Sequence, residues 1–166
     1  MPDDPKPASN LEVVIDTPGD ATYQILDHEL VAFNHSHADW NTQTFTALVR
    51  DADDRLLAGA RGIVRFEAVE IRGLWVDESL KGKGVGRTVV MAVENHSAVL
   101  GARMALLDTY DFQARPFYEK LGYQCFATFE YPNGTKRFYM SRSLESGPAP
   151  KARPETNEDG SVPLER

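Results

Sequence analysis

The chain has 166 residues, a formal net charge of −7, 42% hydrophobic residues and 26% charged ones. That balance fits a single globular domain long enough to bury one full core. It excludes several classes: no apolar run approaches the ~20 residues of a membrane helix, the acidic, proline-rich opening is not a secretory signal, and the single Cys125 forbids an internal disulfide or a cysteine zinc site. The two ends carry part of the negative charge, and the roughly −4 left on the folded part disfavours nonspecific nucleic-acid binding. A cytoplasmic protein without membrane or nucleic-acid partners is expected.

Residues 1–10 read as a disordered start, and residues 11–144 as the folded domain. A first strand is expected at 11–15, broken by Pro18, Gly19 and Asp20. Apolar residues Tyr23, Ile25, Leu26, Leu30, Val31 and Phe33 follow at helical spacing, so a helix is expected over 21–33. Residues 34–40 read as a polar loop with one large aromatic, able to line a pocket. Its His-x-His-x-Asp run lacks a further spaced ligand, so no metal is assigned.

Three strands in a meander come next, at 42–50, 55–65 and 68–76, with an aspartate-rich turn at 51–54. Gly59 and Gly62 inside the second are expected to mark bulges. A helix over 85–100 carries Val85, Val89, Ala92, Val93, His96 and Val99 on one face and stops at Gly101. The short apolar run 104–107 suits a buried strand parallel to 68–76, followed by a turn at 108–111. A short helix over 112–121 and a hairpin of 123–130 with 135–144 complete the domain. Cys125 reads as a buried structural thiol. The tail 145–166 reads as disordered. The fold class is α/β, with a mixed, mostly antiparallel sheet, helices on both faces and a terminal hairpin.

One stretch stands out. Apolar Leu74, Trp75 and Val76 run into Lys81, Gly82, Lys83, Gly84, Val85, Gly86 and Arg87, where a helix begins. Glycines bring a backbone close to a ligand, and a helix start favours an anion. The spacing excludes a P-loop: Gly82 and Gly86 enclose too few residues, and Arg87 follows where lysine is needed. It also excludes the dinucleotide pattern G-x-G-x-x-G, whose third glycine would fall on Arg87 or Val89. The order (Gln/Arg)-x-x-Gly-x-(Gly/Ala) after an apolar strand does fit, with Lys81 in the first place. This stretch resembles the coenzyme A loop of the GNAT superfamily of N-acetyltransferases. A second stretch, from Asp111 to Tyr123, resembles that superfamily's other signature, with Ala114, Phe117, Tyr118 and Gly122 on its positions and Asp111 where asparagine is usual.

The resemblance implies acetyl-CoA as acetyl donor and direct transfer to an amine. It implies Tyr118 as the acid that protonates the leaving thiolate. It implies Glu70 as the base, and backbone amides near Trp75 and Val76 as donors to the thioester oxygen. Lys81, Lys83 and Arg87 would serve phosphates, and Leu74, Asp111, Ala114 and Phe117 would meet the pantetheine arm. Asn34, His37, Trp40 and Asp108 would border the acceptor. The excess of carboxylates points to a small cationic amine. A non-catalytic acyl-CoA sensor is the alternative, and a homodimer is a family-level expectation.

Overall fold

The computed structural model describes Ile15 and residues 20–144. The chain divides into two compact units, residues 1–40 and 41–166. The expected strand at 11–15 lies outside the described residues except for Ile15, and so do the two expected disordered ends.

In the first unit the helical spacing produces α1 (Asp20–His37), which runs past its expected end at Phe33. Asn34 and His37 are therefore helical rather than part of a loop, and Trp40 follows just beyond the helix. The last turn holds itself together. Ser36 Oγ donates to the Phe33 carbonyl at 2.7 Å, and His37 Nδ1 lies 2.9 Å from the same oxygen. The His37 ring stacks on Phe33 with centroids 4.1 Å apart. Two histidines in this turn also suit the negative end of the helix dipole.

The second unit is built on one six-stranded sheet. Its strands are β1 (Gln43–Arg50), β2 (Leu56–Arg65), β3 (Ala68–Val76), β4 (Met104–Tyr110), β5 (Gln124–Glu130) and β6 (Lys136–Ser143), in the order β1-β2-β3-β4-β6-β5. Short turns join β1 to β2, β2 to β3 and β5 to β6, so those pairs are antiparallel. A crossover through α2 (Val85–Val99) makes β3 and β4 parallel, as a helical connection permits. β6 returns antiparallel beside β4. The sheet is thus mixed and mostly antiparallel.

Alternation sends Val64, Val69, Ala105, Leu107, Phe138 and Met140 to one face, where they form the core with Val89, Val90 and Val93 of α2. The short α3 (Arg115–Lys120) joins the same face, its Arg115 guanidinium 4.4 Å from the centre of the Phe138 ring. A polar tie crosses this core: Glu94 of α2, 6% exposed, accepts from Tyr123 Oη at 2.7 Å and pairs with Arg142 at 3.1 Å.

Four local expectations change. Gly59 and Gly62 serve side-chain packing: a Cβ on Gly62 would run into the Phe45 ring, and one on Gly59 would sit 2.8 Å from Leu48 Cδ2. Between β2 and β3 the extra residue lies in β3 at Gly73, whose φ is +67°, beside the Gly59–Arg61 step; between β1 and β2 it lies in β2 at Leu57. β4 runs on to Tyr110 because β6 pairs with Asp108, Thr109 and Tyr110, so Asp108 stands in a strand and not in a turn. α3 starts only at Arg115, since Pro116 fits a first turn and Gln113 Oε1 instead accepts from the Tyr110 amide at 2.9 Å. Cys125 is half-buried rather than buried.

Candidate active site

The bulge in β3 decides what each of its side chains can reach. Val69 and Ile71 point to the core face, and Glu70 and Arg72 to the other. Simple alternation would put Leu74 and Val76 with Glu70. The extra residue at Gly73 moves them to the core face instead, where Val76 pairs with Ala58. Trp75 is left pointing away, 48% exposed. Among the described residues, the pairing of β3 with β4 runs only from Ala68–Met104 to Glu70–Leu106. Beyond it the two strands part.

The gap opens into a cleft of about 430 Å³. Leu74, Val76, Val85, Ala114 and Phe117 give it apolar walls, and Gly82, Gly84 and Gly86 bring backbone to its rim. The approach is shaped locally. Asp77 Oδ1 accepts from the Ser79 amide at 3.0 Å and from Ser79 Oγ at 2.6 Å, which holds the Asp77 carboxyl below the ordinary range and starts the 3-10 turn Glu78–Leu80. Gly82 and Gly84 then take φ of +74° and +82°, which L side chains rarely adopt. Gly84 caps α2 without a side-chain hydrogen bond, so the first amides of that helix face the cleft uncovered. A Cβ on Gly86 would lie 3.4 Å from Phe117 Cζ and 3.5 Å from Val76 Cγ2, so glycine here keeps a slot open between α2 and α3. An apolar slot ending in free amides at a helix start fits a pantetheine chain with its pyrophosphate.

Most of the expected coenzyme contacts come together here. Lys81 and Arg87 line the cleft; Lys81 also pairs with Glu78 at 2.6 Å. Lys83, Trp75 and Asp111 do not line it. Asp111 closes the start of β6, accepting from the Lys136 amide at 3.2 Å while its own amide donates to the Lys136 carbonyl at 2.9 Å. Leu80 is a lining residue that motif spacing overlooked; an apolar side chain inside a lysine- and glycine-rich loop was its signal.

A second space adjoins the cleft where β3 and β4 have parted. A cavity of about 380 Å³ is lined by Arg72, Gly73, Leu74, Asp108, Thr109, Tyr110, Gln113, Ala114, Tyr118 and Arg137, together with Ile71. Leu74 and Ala114 line both this cavity and the first cleft, which therefore meet at the bulge. Tyr118 stands on the second side of that junction. Burial, and secondarily the Asp108 carboxylate, push its phenol up to about 12, so it stays a proton donor at all ordinary pH. A third cavity, of about 240 Å³, continues along Arg72, Asp108 and Arg137 to Glu70, Leu106, Phe126 and Tyr139.

The carboxylates here are not bare. Glu70 Oε2 accepts from Arg72 at 2.7 and 3.2 Å, and Glu70 Oε1 lies 3.4 Å from Arg65 Nη2. Asp108 Oδ2 accepts from Arg137 Nε at 2.8 Å. The residue expected to take a proton is already engaged at both oxygens, because Arg65 pairs with Ala68 just across the β2–β3 turn and Arg72 lies two residues along the same face. Asn34, His37 and Trp40 belong to the first unit and are described with it. Among the described residues no cluster of histidine, cysteine and carboxylate suits a metal ion.

The family described as "Acetyltransferase (GNAT) family" matches residues 13–123. A blasticidin-S acetyltransferase of Streptomyces morookaense is 30% identical over 91 residues, which is 54% of this chain and 67% of that one. Among solved structures, an acetyltransferase from Bacillus cereus ATCC 14579 superposes with a TM-score of 0.67 at 25% identity, covering 79% of this chain and 97% of the other. An aminoglycoside 6'-N-acetyltransferase complexed with coenzyme A superposes at 0.58 with 18% identity, covering 79% and 84%, and so shares the fold. With the family matched over most of its length and a sheet that parts beside a glycine-built cleft, the chain belongs to the acetyltransferase (GNAT) family.

Proposed function

We propose that the protein transfers an acetyl group from acetyl-CoA to the primary amine of a small molecule. One observation carries this: the glycine-built cleft meets a second cavity at Leu74 and Ala114, and a tyrosine with a raised pKa stands at that junction. The blasticidin-S acetyltransferase relative and the coenzyme A complex of a structural neighbour support the donor and the class of acceptor.

Acetyl-CoA, when bound, supplies an acetyl group as a thioester already activated toward an amine. The residues do the rest. Amides of α2 after Gly84, with Arg87 and Lys81, hold phosphate. The β3 backbone beyond the bulge, unpaired with β4, offers donors to the carbonyl oxygen on which charge develops. Tyr118 donates its phenolic proton to the departing sulfur. An alkylamine with a pKa of about 10.4 must first lose a proton, which it can shed to water in the open second cavity. Glu70 is a positioning residue in this reading: its two ion pairs fix Arg72 at the cavity wall.

The test is thiol release from acetyl-CoA with a panel of amines, alongside calorimetry for binding. Turnover dependent on an amine supports transfer. Tight coenzyme binding without thiol release from any amine would leave a non-catalytic acyl-CoA sensor.

A further inference from the structure

The expectation of a cationic acceptor rested on an excess of carboxylates, and Glu70, Asp108 and Asp111 are the ones that could face the site. Asp111 lines neither cavity and is tied to the Lys136 amide. Glu70 is paired with Arg65 and Arg72, and Asp108 with Arg137. The charged residues lining the two adjoining cavities are Glu70, Asp108, Arg72 and Arg137, and Arg65 stands behind Glu70. The lining is thus two guanidiniums against two carboxylates, each carboxylate already ion-paired, so the space carries no free negative charge to attract a cation.

Arg137 is built as a receptor. It pairs across the ladder with Tyr110 and stands next to Tyr139, which is opposite Asp108. Its guanidinium lies 5.6 Å from the centre of the Tyr110 ring and 5.3 Å from that of Tyr139, and its side chain is only 27% exposed. Its Nε donates to Asp108 Oδ2 at 2.8 Å. A planar fork held by two rings and, at Nε, by a carboxylate is an arrangement whose terminal N–H groups can take an oxyanion in two parallel bonds. Arg137 lines both cavities, and Tyr118 lines the larger one with it.

We infer that the acceptor carries a carboxylate or phosphate a few bonds from its amine, and that Arg137, with Arg72 beside it, binds that group. This rests on the transferase reading above and narrows its substrate class. A wholly cationic amine would face Arg72 and Arg137 at the site and gain no unpaired carboxylate in return.

Matched acceptors test this by thiol release: amino acids against their carboxamides, and phosphoethanolamine against ethanolamine. The two series separate a carboxylate from a phosphate. The wild-type protein is expected to favour the anionic member of one series by about 10- to 100-fold in kcat/KM. That ratio should shrink at high salt. Arg137→Gln should bring it to one or below, because Asp108 then stands uncompensated. Arg137→Lys keeps the charge, loses the fork and should retain part of the preference. A wild-type preference for the neutral or cationic member in both series overturns the inference while leaving acetyl transfer intact. A full preference retained in Arg137→Gln assigns the anion elsewhere and overturns it as well. Thiol release from no amine at all, with coenzyme still bound, removes the transferase reading itself.

Discussion

The two spaces that meet at the β3 bulge are held open by different means. The coenzyme cleft is made of backbone: glycines at positive φ, a helix start without a side-chain cap, and a slot that a single methyl group would narrow. The second cavity is made mostly of side chains from β3, β4, β6 and the stretch from Gln113 to Tyr118, with the Asp108–Arg137 ion pair crossing between strands. A backbone site tolerates exchange of its charged residues and fails when bulk is added. A side-chain site behaves the opposite way, since each charge sets the pairing of the next. Charge counted along the chain therefore says little about charge in the second cavity, while glycine spacing says much about the first.

The sharpest break between the two should come at their junction. Tyr118→Phe removes one hydroxyl from a ring packed between Phe117 and Tyr123. Turnover is expected to fall about 10²- to 10⁴-fold with coenzyme affinity nearly unchanged. Wild-type turnover would return Tyr118 to the core alone. The same residue makes a pH prediction. With its pKa raised to about 12, the wild-type rate should show no loss between pH 9 and 10.5, where an ordinary tyrosine begins to ionise.

Next in size is Gly86→Val. Its branches would enter the slot beside Phe117 and Val76. We expect acetyl-CoA affinity to drop on the order of 100-fold by calorimetry, with native circular dichroism. Unchanged affinity in the folded variant would remove the cleft from the coenzyme.

Glu70→Gln sharpens the contrast from the other side. If the carboxylate only holds Arg72, turnover should fall less than about tenfold and by the same factor at every pH. A large loss at neutral pH that recovers at high pH, where the amine is already neutral, would restore Glu70 as the base. The smallest effect belongs to Lys81→Ala. Lys81 is well exposed and paired with Glu78, so its loss should weaken acetyl-CoA by only about twofold, and less at high salt. A loss as large as that of Gly86→Val would mean that side-chain charge, not backbone, holds the phosphates.

Much of the fold was legible along the chain. The strand periods, the Gly101 stop of α2 and the terminal hairpin all follow from local patterning, because each element answers to a period or a breaker within its own residues. The expected α2 stripe, by contrast, is rotated: Val90, Glu94 and Ser97 are buried with Val89 and Val93, and Ala92, His96 and Val99 are exposed. Misjudged ends share a cause. β4 continues through Asp108 and Tyr110 because β6 supplies partners for polar residues, and α1 continues to His37 because Phe33, Ser36 and His37 bond to one another. Polarity alone suggested a stop at both places.

The glycine loop, its exclusion from the P-loop and dinucleotide patterns, and the placing of Tyr118 by its signature were decided by the sequence itself, since they depend on residue types at fixed spacing within one segment. Three things were decided only in the tertiary structure. The Gly73 bulge turns Leu74 and Val76 toward the core and Trp75 away from it, an outcome that pairing with β2 sets. Asp111 is drawn to Lys136, far along the chain, and leaves the cleft. Asp108 meets Arg137 across the sheet, and Glu70 is shared between Arg65 of β2 and Arg72 of its own strand, so the charge of the two adjoining cavities is set partly by pairing between strands that no single segment shows.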